Sequence, residues 1–103
     1  MIENVEGFDW DAGNVGKCEK HGVAIAEIED VFSRPLHILG DRQHSDIEDR
    51  FIAVGKTAEG RGVFIGFTFR RGKTGFLIRP ITARFMHKRE VEKYEKAIAK
   101  TKE

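Results

Sequence analysis

A chain of 103 residues, 40% hydrophobic and 34% charged, has the size of one compact domain, and eight Phe set in patterned segments argue against general disorder. Its one cysteine, Cys18, rules out an intramolecular disulfide and a cysteine-clustered metal site. The formal net charge of +1 hides a division: residues 1–49 carry 12 acidic and 4 basic side chains, residues 50–103 carry 5 acidic and 14 basic. Either one surface has the positive field that attracts phosphate, or the two halves neutralise each other within the fold.

The acidic start, MIENVEGFDWD, lacks the basic-then-apolar order of a secretory signal, and no apolar run approaches the roughly 18 residues of a membrane span. A cytoplasmic protein with no membrane partner is expected. Residues 8–11, FDWD, alternate aromatic and acidic as a short half-buried strand does. AGNVGKCEKHG has helical length but carries Gly13 and Gly16, which predicts a weak helix stopped at Gly22. In VAIAEIEDVFS the spacing of Ile25, Ile28 and Phe32 predicts a stronger helix, ended by Pro35.

From Leu36 the pattern turns to strands. LHIL is a short one, GDRQHSDIED a polar loop, and RFIAVG, VFIGFTFR and FLIRPITARF follow with the turns TAEGRG and RGKTG between them. Val63, Ile65, Phe67 and Phe69 form the clearest core face, with Phe64, Gly66, Thr68 and Arg70 opposite. Pro80 cannot donate a ladder hydrogen bond, so its strand is expected at an edge or bulged, and a bulge would upset the two-residue parity of Arg79 and Arg84. HKREVEKYEKAIAK predicts a helix with Val91, Tyr94 and Ile98 as its apolar stripe. Residues 1–103 therefore read as a single α+β domain: N-terminal helices, a three- to four-stranded antiparallel sheet and a C-terminal helix.

Four stretches, FDWD, KHGV at 20–23, HSDIEDRFIAVG at 44–55 and IRPITARFMHKREVEKYE at 78–95, resemble in order and spacing the BrnT family of toxins from type II toxin-antitoxin systems. The resemblance implies a RelE-like fold and an endoribonuclease that cleaves RNA and arrests growth. It also implies a BrnA-type antitoxin in a hetero-oligomeric complex that binds operator DNA through the antitoxin. By motif, the positions carried over are Lys20, His21, Glu48, Arg50, Arg79, Arg84, Glu90 and Tyr94. The sequence departs from the family pattern at Pro80 and Thr82.

Metal-free RNA cleavage needs a base for the 2′-hydroxyl, cationic donors for charge growing on the phosphate, and an acid for the leaving oxygen. The four His show no ligand spacing, so no metal or other cofactor is expected. Arginine's planar fork suits phosphate, which makes Arg50, Arg79 and Arg84 candidates; the plainer reading is that they cap the sheet or pair with carboxylates. Glu48 and His44 are candidate bases or acids, although Glu48 two residues before Arg50 can simply pair with it. Lys20 is either a catalytic cation or a solvated helix-end lysine, His21 a C-terminal cap, and Tyr94 either catalytic or core. Trp10 is a base-stacking candidate or plain packing, while His87, Lys88 and Arg89 add positive charge around Arg79 and Arg84. A binding module for RNA or protein without catalysis is the rival reading.

Overall fold

Asp11 begins the helical part of the chain. In the computed structural model, which describes residues 4–41 and 48–101, its Oδ1 accepts hydrogen bonds from the N–H groups of Gly13 and Asn14 at 2.9 and 3.2 Å. Asn14 Oδ1 accepts from Asp11 N in return at 2.7 Å. This reciprocal cap lets a glycine-containing segment hold a helix, α1 (Ala12–Glu19). The strand expected at 8–11 accordingly lies earlier, as β1 (Val5–Phe8), because Asp9 to Asp11 form the approach to that cap.

The remaining elements are α2 (Ile25–Phe32), β2 (His37–Gly40), β3 (Phe51–Lys56), β4 (Gly62–Arg71), β5 (Phe76–Phe85) and α3 (Lys88–Thr101). The strands form one sheet in the order β1-β5-β4-β3-β2. Adjacent pairs from β2 to β5 are antiparallel, whereas β1 joins β5 in parallel. The fold is α+β as expected, with five strands where three or four antiparallel ones were expected.

A side chain fastens the extra strand. The Glu6 carboxylate accepts from the backbone N–H groups of Lys73, Thr74 and Gly75 and from the Thr74 hydroxyl, filling the β4–β5 turn like a bound anion. These bonds hold its pKa below the ordinary carboxylate value, those from Thr74 most. Gly72 is required by this approach, since a Cβ there would overlap the Glu6 carboxylate.

Pro80 sits at a bulge, and the bulge decides where the arginines point. Gly66 pairs with Thr82 and Phe67 with Pro80, so Ile81 has no opposite number. Arg79 and Arg84 are five residues apart and strict alternation would set them on opposite faces; the extra residue brings them onto one. The strand is not an edge at its start, because β1 covers Phe76 to Ile78. Beyond that point the Pro80 carbonyl faces α1 and accepts from Asn14 Nδ2 at 2.8 Å. Its missing N–H therefore falls on the flank that β1 has left and costs no ladder bond.

The two faces differ. On the first, Cys18, Val23, Ile28 and Val31 from the helical layer meet Ala53, Val63, Ile65 and Phe67, all fully buried. Each such Val, Ile or Phe side chain contributes about 1.5–3 kcal/mol. Burial also pushes the Cys18 thiol up to about 11, which leaves it an inert core group. Among the described residues the second face carries α3, which packs tightly at Gly62, where a Cβ would collide with Val91. Val91, Tyr94 and Ile98 are half-buried there; further along the face Thr82 is exposed, whereas Thr68 is buried.

Candidate active site

Register places the candidate side chains in rows across the second face. Arg84 lies opposite Phe64, Thr82 opposite Gly66, Arg79 opposite Thr68 and Leu77 opposite Arg70. Arg50, one place before the Phe51–Phe67 pair, falls beside Thr68, whose hydroxyl donates to the Asp49 carbonyl at 2.7 Å. The Arg79 and Arg84 rows lie four positions apart along β4, about 13 Å at ordinary strand rise. The floor between them is Gly66 and the exposed Thr82.

At the first end the two oppositely charged halves of the sequence meet. Arg79 Nη1 lies 2.9 Å from Asp11 Oδ2 and 3.3 Å from Asp9 Oδ2, with its side chain only 19% exposed. The hydrogen bond with Asp11 raises the guanidinium pKa above its ordinary value and lowers that of Asp11. Glu48 forms an ion pair with Arg70 and stands 3.9 Å from Arg50. Neutralisation between the halves is therefore the outcome at this end. Asn14 reinforces it, donating to the Asp9 carbonyl at 2.9 Å as well as to Pro80 while itself buried.

The second end is an open recess of about 560 Å³ where the end of β5 meets the first turn of α3. It is lined by Arg84, His87, Arg89, Glu90, Lys93 and Tyr94. Glu90 grips Arg84 with two parallel bonds, Nη1 to Oε1 and Nη2 to Oε2, both 2.7 Å. The guanidinium carbon lies 4.5 Å from the Phe64 ring centre, a cation–π contact, and the Tyr94 ring is 6.4 Å from that of Phe64. The hydrogen bond to Arg84 is the first cause that lowers the Glu90 pKa, and the same bond raises that of Arg84. Here the basic side chains outnumber their one carboxylate. A smaller pocket, about 180 Å³, opens beyond Tyr94 between α3 and β3 and is chiefly apolar, with Val54, Met86, Val91 and Ile98 in its walls.

The structure thus gathers Arg84, His87, Arg89 and Tyr94 in one recess, and sets Arg50, Arg79 and Glu48 at the other end of the same face. Lys88 lines a neighbouring recess with Lys56 and Arg61. Lys20 and His21 are exposed at the C-terminal end of α1, on the helical layer rather than the open face, where the Lys20 N–H donates to the Gly16 carbonyl. Trp10 packs against the core and donates its indole N–H to Glu29 Oε2 at 2.8 Å. His44 lies outside the described residues. Arg70, Phe64 and Lys93 also lie here; strand parity already set Phe64 and Arg70 on this face, exposed Phe residues are base-stacking candidates by sequence, and Lys93 reads there as solvated helix surface with at most diffuse attraction for nucleic acid. Among the described residues no three His, Cys, Asp or Glu side chains gather as metal ligands, and no helix is long and apolar enough to cross a membrane.

Comparison with known families defines the class of this α+β domain with arginines along one sheet face. The model of a ribonuclease toxin, BrnT, of type II toxin-antitoxin systems matches residues 10–90. The chain belongs to the BrnT family. RNA is accordingly its substrate class and an antitoxin its partner. No curated protein matches the chain. The match takes in Glu48, Arg50, Arg79, Arg84 and the first turn of α3 as far as Glu90; Tyr94 lies just beyond it.

Proposed function

We propose that this toxin cleaves RNA without a metal ion, by attack of a ribose 2′-hydroxyl on the adjacent phosphate, with the scissile phosphate seated at Arg84. The observation that carries the reading is the recess itself, where a stacked, forked arginine is surrounded by an imidazole, a phenol and further cations. A guanidinium has five N–H donors, and Glu90 engages two of them, which leaves the others for phosphate oxygens.

In the reaction the 2′-oxygen–phosphorus bond forms and the phosphorus–5′-oxygen bond breaks, giving a cyclic 2′,3′-phosphate and a free 5′-hydroxyl. His87 takes the proton of the 2′-hydroxyl and Tyr94 gives one to the leaving oxygen, the imidazole and the phenol that line the recess. Arg84 stabilises the charge growing on the phosphate. Arg50 and Arg70, oriented by Glu48, meet phosphates further along the same strand. Arg79 serves chiefly to hold α1 against β5, and Lys20 adds diffuse attraction. A BrnA-type antitoxin covers the recess and supplies the DNA-binding part of an operator-bound complex, and release of the toxin arrests translation and growth.

The test is cleavage of end-labelled RNA in excess EDTA by the parent and by Arg84→Ala and His87→Ala. Cyclic-phosphate ends from the parent, lost in both variants, support the proposal. A folded parent that binds RNA with strong salt dependence yet leaves it intact would be a binding module instead. Absence of both binding and cleavage would point to a protein-interaction domain.

A further inference from the structure

Glu90 lines the recess beside Arg84, and a carboxylate beside a phosphate site is usually read as a base. Three observations oppose that reading here. Both of its oxygens are engaged by Arg84 at 2.7 Å in a fork. It is the third residue of α3, whose first backbone bond runs from the Val91 N–H to the His87 carbonyl at 3.0 Å, and a carboxylate in that first turn favours the helix start. The Arg84 bond, the first cause that lowers its pKa, keeps the carboxyl ionised.

We infer that Glu90 is a positioning residue: it sets the plane of Arg84 against the recess and ties that arginine to the start of α3, beside His87 and Arg89 and one turn before Tyr94. α3 otherwise rests on the sheet through half-buried side chains and the outer ion pair Lys56–Glu95 at 3.3 Å. With Phe64 on one side and Glu90 at its edge, Arg84 keeps one orientation before substrate arrives, which is what a donor to a transition state requires. Its carboxylate also partly cancels the charge that draws RNA in, so ground-state attraction is given up for orientation.

This inference rests on the ribonuclease reading, and one set of kinetics separates the two. Parent, Glu90→Gln, Glu90→Ala and Arg84→Ala are compared on a labelled RNA oligomer for kcat, KM and the pH profile, with thermal unfolding measured alongside. Removing the charge at position 90 is expected to lower kcat by about tenfold to a hundredfold. KM should fall severalfold, since RNA then meets an uncompensated arginine. The acid limb of the profile should stay in place. Loss of that limb together with cleavage would make Glu90 the base and overturn the inference. A raised KM with a collapsed melting temperature would make it merely structural, and unchanged kcat would remove it from the site. If the parent does not cleave, or Arg84→Ala cleaves as well as the parent, the ribonuclease reading at Arg84 fails first and takes this inference with it.

Discussion

Arg79 and Arg84 occupy one strand and one face, and sequence alone gives them equal standing, yet the fold treats them differently. Arg79 is 19% exposed between two carboxylates that belong to the approach and cap of α1. Arg84 is 40% exposed, held by a single carboxylate and stacked on Phe64, with a recess in front of it. The first is spent on assembly and the second is presented to solvent. What separates them is partner count and direction rather than residue type. Asp9 and Asp11 are rigid because a helix cap and Asn14 fix them, so Arg79 is enclosed. Glu90 reaches Arg84 from a single turn of a lightly covered helix and leaves half of the guanidinium open.

Substitution breaks the comparison in opposite ways. Arg84→Ala should lower the cleavage rate by about 10²–10³, the usual loss of one transition-state donor, or roughly 3–4 kcal/mol. Its melting temperature should barely move, because exposed pairs contribute about 0–1 kcal/mol. Asn14→Ala tests the other end through stability. It strips a buried amide from the Asp9 and Pro80 carbonyls, and a loss of about 2–3 kcal/mol in urea unfolding is expected. An unchanged midpoint would mean that Asn14 is not what fixes Asp9. Arg79→Ala should cost about 1–2 kcal/mol of stability, since the pair is only partly buried. Once assayed well below its melting temperature, this variant should cleave within a few-fold of the parent. A hundredfold loss in folded Arg79→Ala would instead make the two arginines one site.

Much of this contrast was legible in the sequence, and the missing part has a physical cause. The core strand at Val63 to Phe69, the α2 stripe and α3 follow from period alone, because each buries one face against one layer. Pro80 signalled a bulge from its missing donor, but whether Arg79 and Arg84 share a face depends on which residue is extra, and Ile81 carries no mark of that. The aromatic–acidic alternation of FDWD imitates a strand, although Asp11 is there to cap a helix and Asp9 to meet Arg79. β1 escaped notice because its hold comes from Glu6 in a turn 67 residues away, a contact no local pattern contains. The site was half visible for the same reason. Charge density picked out residues 79–90, whereas pairing across the fold, which decides how much of that charge is free, runs between distant segments.

Acid sharpens the comparison least in size but most directly in cause. Glu90 and Asp11 are both held below their ordinary values of 4.5 and 3.8, each first of all by its arginine. For a depressed carboxyl the unfolded chain takes up its proton first as pH falls. The stability it contributes is thus complete above the unfolded pKa and disappears as pH drops through the lower folded value. Melting curves from pH 7 to 2 should be flat near neutrality and fall in the acid range. Glu90→Gln should remove part of that fall, less than about 1 kcal/mol for so open a pair, and leave the share of Asp11 and Glu6 intact. Asp11→Asn should remove a different share, and the two effects should add, because the clamps lie on separate rows and share no partner. Strong coupling between them would show that the ends of the face are linked through β5, and that binding at the Arg84 recess is felt at the α1 cap.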